Sequence, residues 1–326
     1  MIYHYLKVAF RNMRKYKGQT LVSVVGLAVG FVCFAMSTLW IRHEMTYDNF
    51  HKNADRIYCV GEWDNFYSTG RRRDFPRYLA GYLKSTFPEV ANAIAISLAN
   101  INFKYEDVNH KADFLLDIDS SFFSMFDVKI IEGSMDFLIP ESGKIAITRE
   151  KALQLFGNES PVGKKITINN YSSDEFEICA VVTGFPKRSN YPFDFLRGTH
   201  VEPQLQPEGH FVTYLGQILV EIVPGIDMKA FEKKLNEHEF PRMEDIVSIN
   251  ATFTLIPLTA VHHKDPDIKI DSQFRRIERV QIQHIIIFAL AGLLLILCTL
   301  FNYLTLFVSR FRIRQRELAL RTIYGA

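Results

Sequence analysis

Two uncharged apolar runs, each beside a basic cluster, bracket about 240 mainly polar residues. Residues 20–41 (TLVSVVGLAVGFVCFAMSTLWI) and 285–308 (IIIFALAGLLLILCTLFNYLTLFV) contain no Asp, Glu, Lys or Arg. As helices rising about 1.5 Å per residue they would run roughly 33–36 Å. That is enough to cross a hydrocarbon core of about 30 Å. A chain built this way is expected to be anchored at both ends, with one large domain between the anchors.

The charge pattern sets the expected orientation. The net charge of +2 hides an asymmetry. Residues 1–19 carry Lys7, Arg11, Arg14, Lys15 and Lys17 and no acid. Residues 309–326 carry Arg310, Arg312, Arg314, Arg316 and Arg321 against Glu317. Residues 43–308 hold 27 basic residues against 35 acids, a net of −8. Basic residues next to apolar spans stay on the cytoplasmic side. Both termini are therefore expected on the cytoplasmic side of the membrane, and residues 42–284 outside. The adjoining spans also turn the basic flanks away from a nucleic-acid role. Residues 20–41 exceed the apolar length of a signal peptide and lack a well-placed cleavage site, so an uncleaved anchor is expected.

Five segments follow from this pattern. Residues 1–18 read as a basic amphipathic helix, with Ile2, Leu6, Phe10 and Met13 on one face, suited to the membrane interface. Gly18 separates it from the first span, 19–41. Residues 42–284 form the mixed α+β domain, 285–308 the second span, and 309–326 a basic cytoplasmic segment. Gly26 and Gly30 make a GxxxG motif in the first span, and Asn302 is a polar group in the second. Small residues let helix backbones approach where lipid removes the hydrophobic drive, and polar groups bond across helices. These three are candidate helix-packing residues.

Within the central domain, strands are expected at 56–60, 94–103, 114–118, 144–148, 165–168, 176–183, 219–223 and 251–258. Phe75, Leu79, Tyr82 and Phe87 are spaced as a helix face stopped by Pro88. Asp119 or Ser120 can cap a short helix reaching Phe126. Thr148 and Asp227 are expected N-caps of helices 149–156 and 228–238, the first closed by Gly157. Residues 184–209, rich in proline, read as loop, and 273–284 as a charged helix entering the second span. Cys59 and Cys179 are a disulfide pair or two buried thiols.

No catalytic, metal or cofactor constellation is read. There is no GxSxG, HExxH or CxxC. The stretch from Gly157 to Lys165 imitates a phosphate loop but has five residues between its glycines and Lys165 where Ser or Thr should bind Mg²⁺. His262 and His263, near Asp265 and Asp267, would point to opposite faces of a strand. Gly70-Arg71-Arg72-Arg73-Asp74 reads as a solvated loop.

The ordered blocks along the chain resemble a known family. They are residues 47–58 (YDNFHKNADRIY), 87–90 (FPEV), 119–127 (DSSFFSMFD) with Glu132-Gly133, and 147–152 (ITREKA). Phe156-Gly157, 161–164 (PVGK), Leu258-Thr259 and 316–321 (RELALR) with Gly325-Ala326 follow. Together they resemble the N-terminal half of a MacB/FtsX-like ABC transporter permease with a MacB-type periplasmic core domain. The resemblance implies a membrane protein with two transmembrane helices flanking an α+β extracytoplasmic domain. It implies no enzyme activity of its own, an ABC-type ATP-binding subunit as partner, a homo- or hetero-dimer of permease halves, and room for a periplasmic adaptor. Arg310, Arg312, Arg314, Arg316, Glu317 and Arg321 would contact the ATPase. The family's further spans lead to the expectation that Ala326 ends a fragment. Two other roles are weighed against export: a relay switching cell-wall hydrolases, and a two-span sensor.

Overall fold

The structure is a computed structural model. It describes residues 11, 17–63, 71–72, 74–106, 108–169, 173–186, 188–202, 204–205, 211–212, 215–240, 252–264 and 282–324. The amphipathic reading of 2–17 and most of the helix expected over 273–284 lie outside these residues. Two compact units divide the chain: residues 1–44 with 282–326, and residues 45–281.

The first unit holds helices α1 (Lys17–Glu44) and α7 (Ile282–Ile323). Helix α1 passes through Gly18, so that glycine does not break it: one glycine costs only about 1 kcal/mol in a helix interior, against many favourable neighbours. Helix α7 continues well past the apolar run, so the arginine-rich residues after Val308 are helical.

The second unit is a mixed sheet decorated by short helices. Its strands are β1 (Ile57–Trp63), β2 (Arg71–Arg72), β3 (Asp74–Pro76), β4 (Val90–Tyr105), β5 (Val108–Ile118), β6 (Ile130–Gly133) and β7 (Lys144–Thr148). They continue as β8 (Lys165–Asn169), β9 (Ser173–Val182), β10 (Phe195–Gly198), β11 (Gln204–Leu205), β12 (Phe211–Val212), β13 (Leu215–Ile222) and β14 (Thr252–Pro257). Helices α2 (Tyr78–Thr86), α3 (Phe122–Met125), α4 (Arg149–Phe156), α5 (Met228–Glu237) and α6 (Val261–Lys264) lie between them. The main sheet runs β14-β1-β13-β4-β5-β10-β7-β9-β6. Strands β2 and β3 attach to β1 and β13, β8 joins β4 to β9, and β11 pairs separately with β12.

Strand β4 is the spine. Successive side chains of a strand point to opposite faces, and Ala93 and Ala95 enter one buried cluster while Ile94 and Ile96 enter another. Farther along, Ile101 and Phe103 enter a third. Strand β13 splits in the same way, with Ile218 and Val220 on the α2/α5 side and Leu219 opposite. A sheet buried on both faces reads as a near-continuous apolar run, which is the pattern in both strands.

Four local expectations are corrected. Phe75 is in strand β3, not in a helix: it precedes Pro76, whose ring disfavours helical backbone at the residue before it, and the helix starts at Tyr78. Residues 184–209 are not all loop. Strand β10 pairs parallel with β5 and antiparallel with β7, and its four residues are too few to show a period. His262 and His263 lie in helix α6, not in a strand. Neither Asp119 nor Ser120 caps α3. Asp119 instead accepts the amides of Ser121 (2.7 Å) and Ala95 (3.1 Å), fastening β5 to β4. The caps at α4 and α5 are as expected: Thr148 Oγ1 accepts Lys151 N (3.3 Å) and Asp227 Oδ1 accepts Lys229 N (3.0 Å). Gly157 ends α4 with φ of 62°, a conformation that costs glycine no steric strain. Cys59 and Cys179 are buried free thiols.

Candidate functional site

The helix pair comes first. Segments Val24–Glu44 and Gln283–Thr305 are each long and apolar enough to cross a membrane. The two helices run antiparallel: Trp40 meets Phe288 (centroids 4.9 Å apart), Gly292 lies near Ser37 and Phe34, and Gly30 lies against Thr299. A Cβ added at Gly30 would overlap the Thr299 side chain. Close backbone approach of this kind is how helices gain dispersion contacts in lipid. Thr38, Thr299 and Thr305 satisfy their hydroxyls on carbonyls of their own helices (2.8–2.9 Å). Gly26 is half-buried. The side chain of Asn302 lies outside the described residues, as do those of Arg310, Arg314, Glu317 and Arg321; Arg312 and Arg316 are exposed.

The stretch after α1 is anchored in the sheet domain. Asp48 is fully buried with φ of 55°. Its carboxylate accepts Ser189 Oγ (2.6 Å), Asn190 N (3.0 Å) and Asn190 Nδ2 (2.6 Å). Its own amide donates to the Arg188 carbonyl (3.0 Å), while Arg188 Nη1 donates to Thr46 Oγ1 (2.6 Å). Burial pushes the Asp48 carboxyl above the usual carboxylate range, against the lowering effect of these hydrogen bonds. His51 packs among Phe50, Phe126 and Phe185. Burial pulls its pKa down to about 4 although Asp127 opposes this. It is therefore neutral near pH 7, and its 3.9 Å approach to Asp48 is not an ion pair there. Tyr47 stacks on His262 of α6 with centroids 3.6 Å apart and planes 6° from parallel. The block at residues 47–58 thus contains the anchor; its partners at 188–190 carry no signal in sequence.

A second constellation was not legible in the sequence. Arg197 holds Asp117 bidentately (2.8 and 3.1 Å), and Arg77 approaches the same carboxylate at 3.6 Å. Arg77 also donates to the Leu215 carbonyl (3.1 Å) and to Thr199 Oγ1. The cluster ties the α2 entrance to β5, β10 and β13. Beside it lies a cavity of about 230 Å³ lined by Lys144, Phe176, Arg197, Thr199 and His200. Its polar walls are paired: Lys144 with Asp136 (2.6 Å), Arg197 with Asp117, and His200 Nε2 with Glu141 Oε1 (3.2 Å). The stretch resembling a phosphate loop is likewise committed to the fold. Gly163 N donates to the Ile178 carbonyl (2.8 Å), Lys164 pairs with Glu159 (2.7 Å), and Lys165 with Glu175 (2.6 Å). Among the described residues no three His, Cys, Asp or Glu side chains are grouped to hold a metal.

Two apolar helices at the chain ends, flanking a mixed sheet-and-helix domain, define a membrane protein with a large polar domain inserted between its membrane segments. The sequence profile of the MacB-like periplasmic core domain matches residues 20–238, and the chain belongs to that family of ABC transporter permeases. Among solved structures, a domain of a protein described as a permease from Porphyromonas gingivalis is similar at 20% identity and a TM-score of 0.50. The match covers 64% of this chain and 92% of that one. The periplasmic region of MacB from Actinobacillus actinomycetemcomitans matches at 16% identity and a TM-score of 0.41, over 56% of this chain and 82% of that one. The extracellular domain of the noncanonic ABC-type transporter YknZ from Gram-positive bacteria matches at 15% and 0.41, over 54% and 88%. No curated protein sequence matches the chain significantly.

Proposed function

We propose that this chain is a permease subunit of a MacB/FtsX-like ABC transporter, which couples ATP hydrolysis by a separate ATP-binding subunit to movement of the sheet domain for export or extraction of a substrate. The observation that carries the proposal is the match of a MacB-like periplasmic core domain that begins inside the first apolar helix. Helix α7 supports it by extending its basic end beyond the apolar run, as a contact with a cytoplasmic ATPase would need. Arg310, Arg312, Arg314, Arg316, Glu317 and Arg321 are the proposed contact. In this reading both termini are cytoplasmic, residues 42–284 are periplasmic, the membrane is the inner one, and the permease works as a dimer of halves.

Mild detergent extraction of the native protein, affinity purification and mass spectrometry test the proposal. Co-purification of an ATP-binding cassette subunit is expected. Recovery with a wall hydrolase or signalling partner and without an ATPase would replace it by the relay or sensor. Orientation is tested separately. A cysteine at the exposed Asn109 should react with an impermeant reagent from outside only.

A further inference from the structure

We infer that Asp48 with its Arg188–Asn190 partners, together with the Tyr47–His262 stack, forms a joint that fixes the chain following the first span to one place on the sheet domain. The inference deepens the permease reading and rests on it for its mechanical meaning. Its structural half stands on the geometry alone.

Tyr47 lies three residues past Glu44, the end of α1, and His262 lies in the last described helix before the chain returns to α7. An unattached linker behaves as a flexible coil whose ends wander as the square root of its length, and such a coil transmits little push or pull. This stretch is not slack. A buried carboxylate is costly unless hydrogen-bonded, and three donors from residues 189–190 converge on Asp48. A non-glycine residue at positive φ persists only where its surroundings dictate it. His262 is 1% exposed, so the stack seats α6 in the domain and places Tyr47 on it. The joint therefore draws on three distant stretches of chain (47–48, 188–190 and 262). Motion of the first membrane segment, which ends three residues before Tyr47, reaches the domain at a fixed point. Tyr47, Asp48 and His262 are positioning residues in this account.

The test uses the full-length protein in nanodiscs with its co-purified ATP-binding subunit. Hydrogen exchange is read at the amides of Asp48, Asn190 and Tyr191, each of which is bonded within the joint. Exchange at these amides should rise at least tenfold in Asp48→Ala, with little change in the far strands β7 and β9. Energy transfer from a dye at position 165 of the sheet domain to acceptor lipids should change on adding ATP and vanadate. That change should fall by half or more in Asp48→Ala and in Tyr47→Ala, and persist in Tyr47→Phe, which keeps the ring. Ser189→Ala, which removes a single donor, serves if Asp48→Ala does not fold. Unchanged exchange overturns the joint, and so does a full ATP-driven response in variants whose amides have lost protection. If wild type brings down no ATPase, the permease reading fails; the exchange measurement still decides whether the attachment exists.

Discussion

In the helix pair the large apolar side chains face outward, with Phe31 68% and Phe301 65% exposed. In the sheet domain Phe75, Phe103 and Phe195 are wholly buried. Water would not tolerate the first arrangement on this scale: contiguous exposed apolar surface in a soluble protein rarely exceeds a few hundred Å². The same residue type thus reports two solvents. In the domain, burial drives folding and the backbone is paired across long sequence separations. In the helices, every backbone bond is local, lipid takes the outer faces, and the pair meets at Trp40–Phe288, Gly292 and Gly30. Mutations should therefore rank differently in the two places.

The largest expected effects are in the domain. Phe195→Ala should destabilise it by about 3–5 kcal/mol through the cavity left behind, read as a lower urea midpoint of near-ultraviolet circular dichroism on the full chain in micelles. Asp117→Ala should cost about as much, because it leaves Arg77 and Arg197 without the carboxylate they share. Leu293→Ala, at a position 51% exposed in α7, should leave that transition where it was. A large shift there would mean that the helix face is buried against protein and not lipid.

Next comes pH. His51 has its pKa held near 4 in the folded protein, against about 6.5 in an unfolded chain. Between those values the unfolded state binds more protons, so stability rises with pH across the window and is complete above it. Acidification from pH 6.5 to 4 should cost on the order of 3 kcal/mol. Asp48 acts with the opposite sign, since its raised pKa makes the folded state hold a proton more tightly. The difference between wild type and His51→Gln isolates the histidine. Their stability gap should narrow or reverse toward pH 4, and parallel curves would remove His51 from the acid response.

What the sequence shows differs between the two regions for a physical reason. The spans are legible because membrane crossing imposes one requirement, uninterrupted apolarity, on consecutive residues. Strand 144–148 and helix 149–156 are legible because Lys144, Thr148 and Gly157 mark local events. The strands expected at 94–103 and 114–118 are the shorter cores of β4 and β5, since Lys104, Tyr105, Val108 and His110 break the apolar alternation; the pairing Tyr105↔Val108 comes from register set farther down the strands. The Asp48 and Asp117 clusters are not legible, because Asp48 and Ser189 are separated by 141 residues and Asp117 and Arg197 by 80, and they meet only through the tertiary fold.

Gly30→Leu sharpens the comparison from the membrane side. Thr299 occupies the space a side chain would need, so the helices must part or shift. Association should weaken by about 1–2 kcal/mol, the scale of helix-helix interactions in lipid. With Trp63 replaced by Phe, Trp40 is the sole tryptophan, and its contact with Phe288 makes its emission a reporter of the pair. A changed spectrum with an unchanged urea midpoint is the expected combination. An unaltered spectrum would mean that Gly30 does not hold the pair.

The smallest effect tests a local bond in the domain. Asp227→Ala removes the side-chain acceptor from the first turn of α5 and should cost about 1 kcal/mol, while Asp227→Asn, which keeps an acceptor, should cost little. Phe231 and Leu235 bury this helix against the sheet, so the loss appears as a lower urea midpoint and not as a missing helix. No equivalent change is available in α1 or α7 within the spans, where the helix is sustained by lipid along its whole length and not by a cap at one end. A cost near zero for Asp227→Ala would mean that tertiary packing alone fixes α5, making it resemble the membrane helices more than its amphipathic pattern implies.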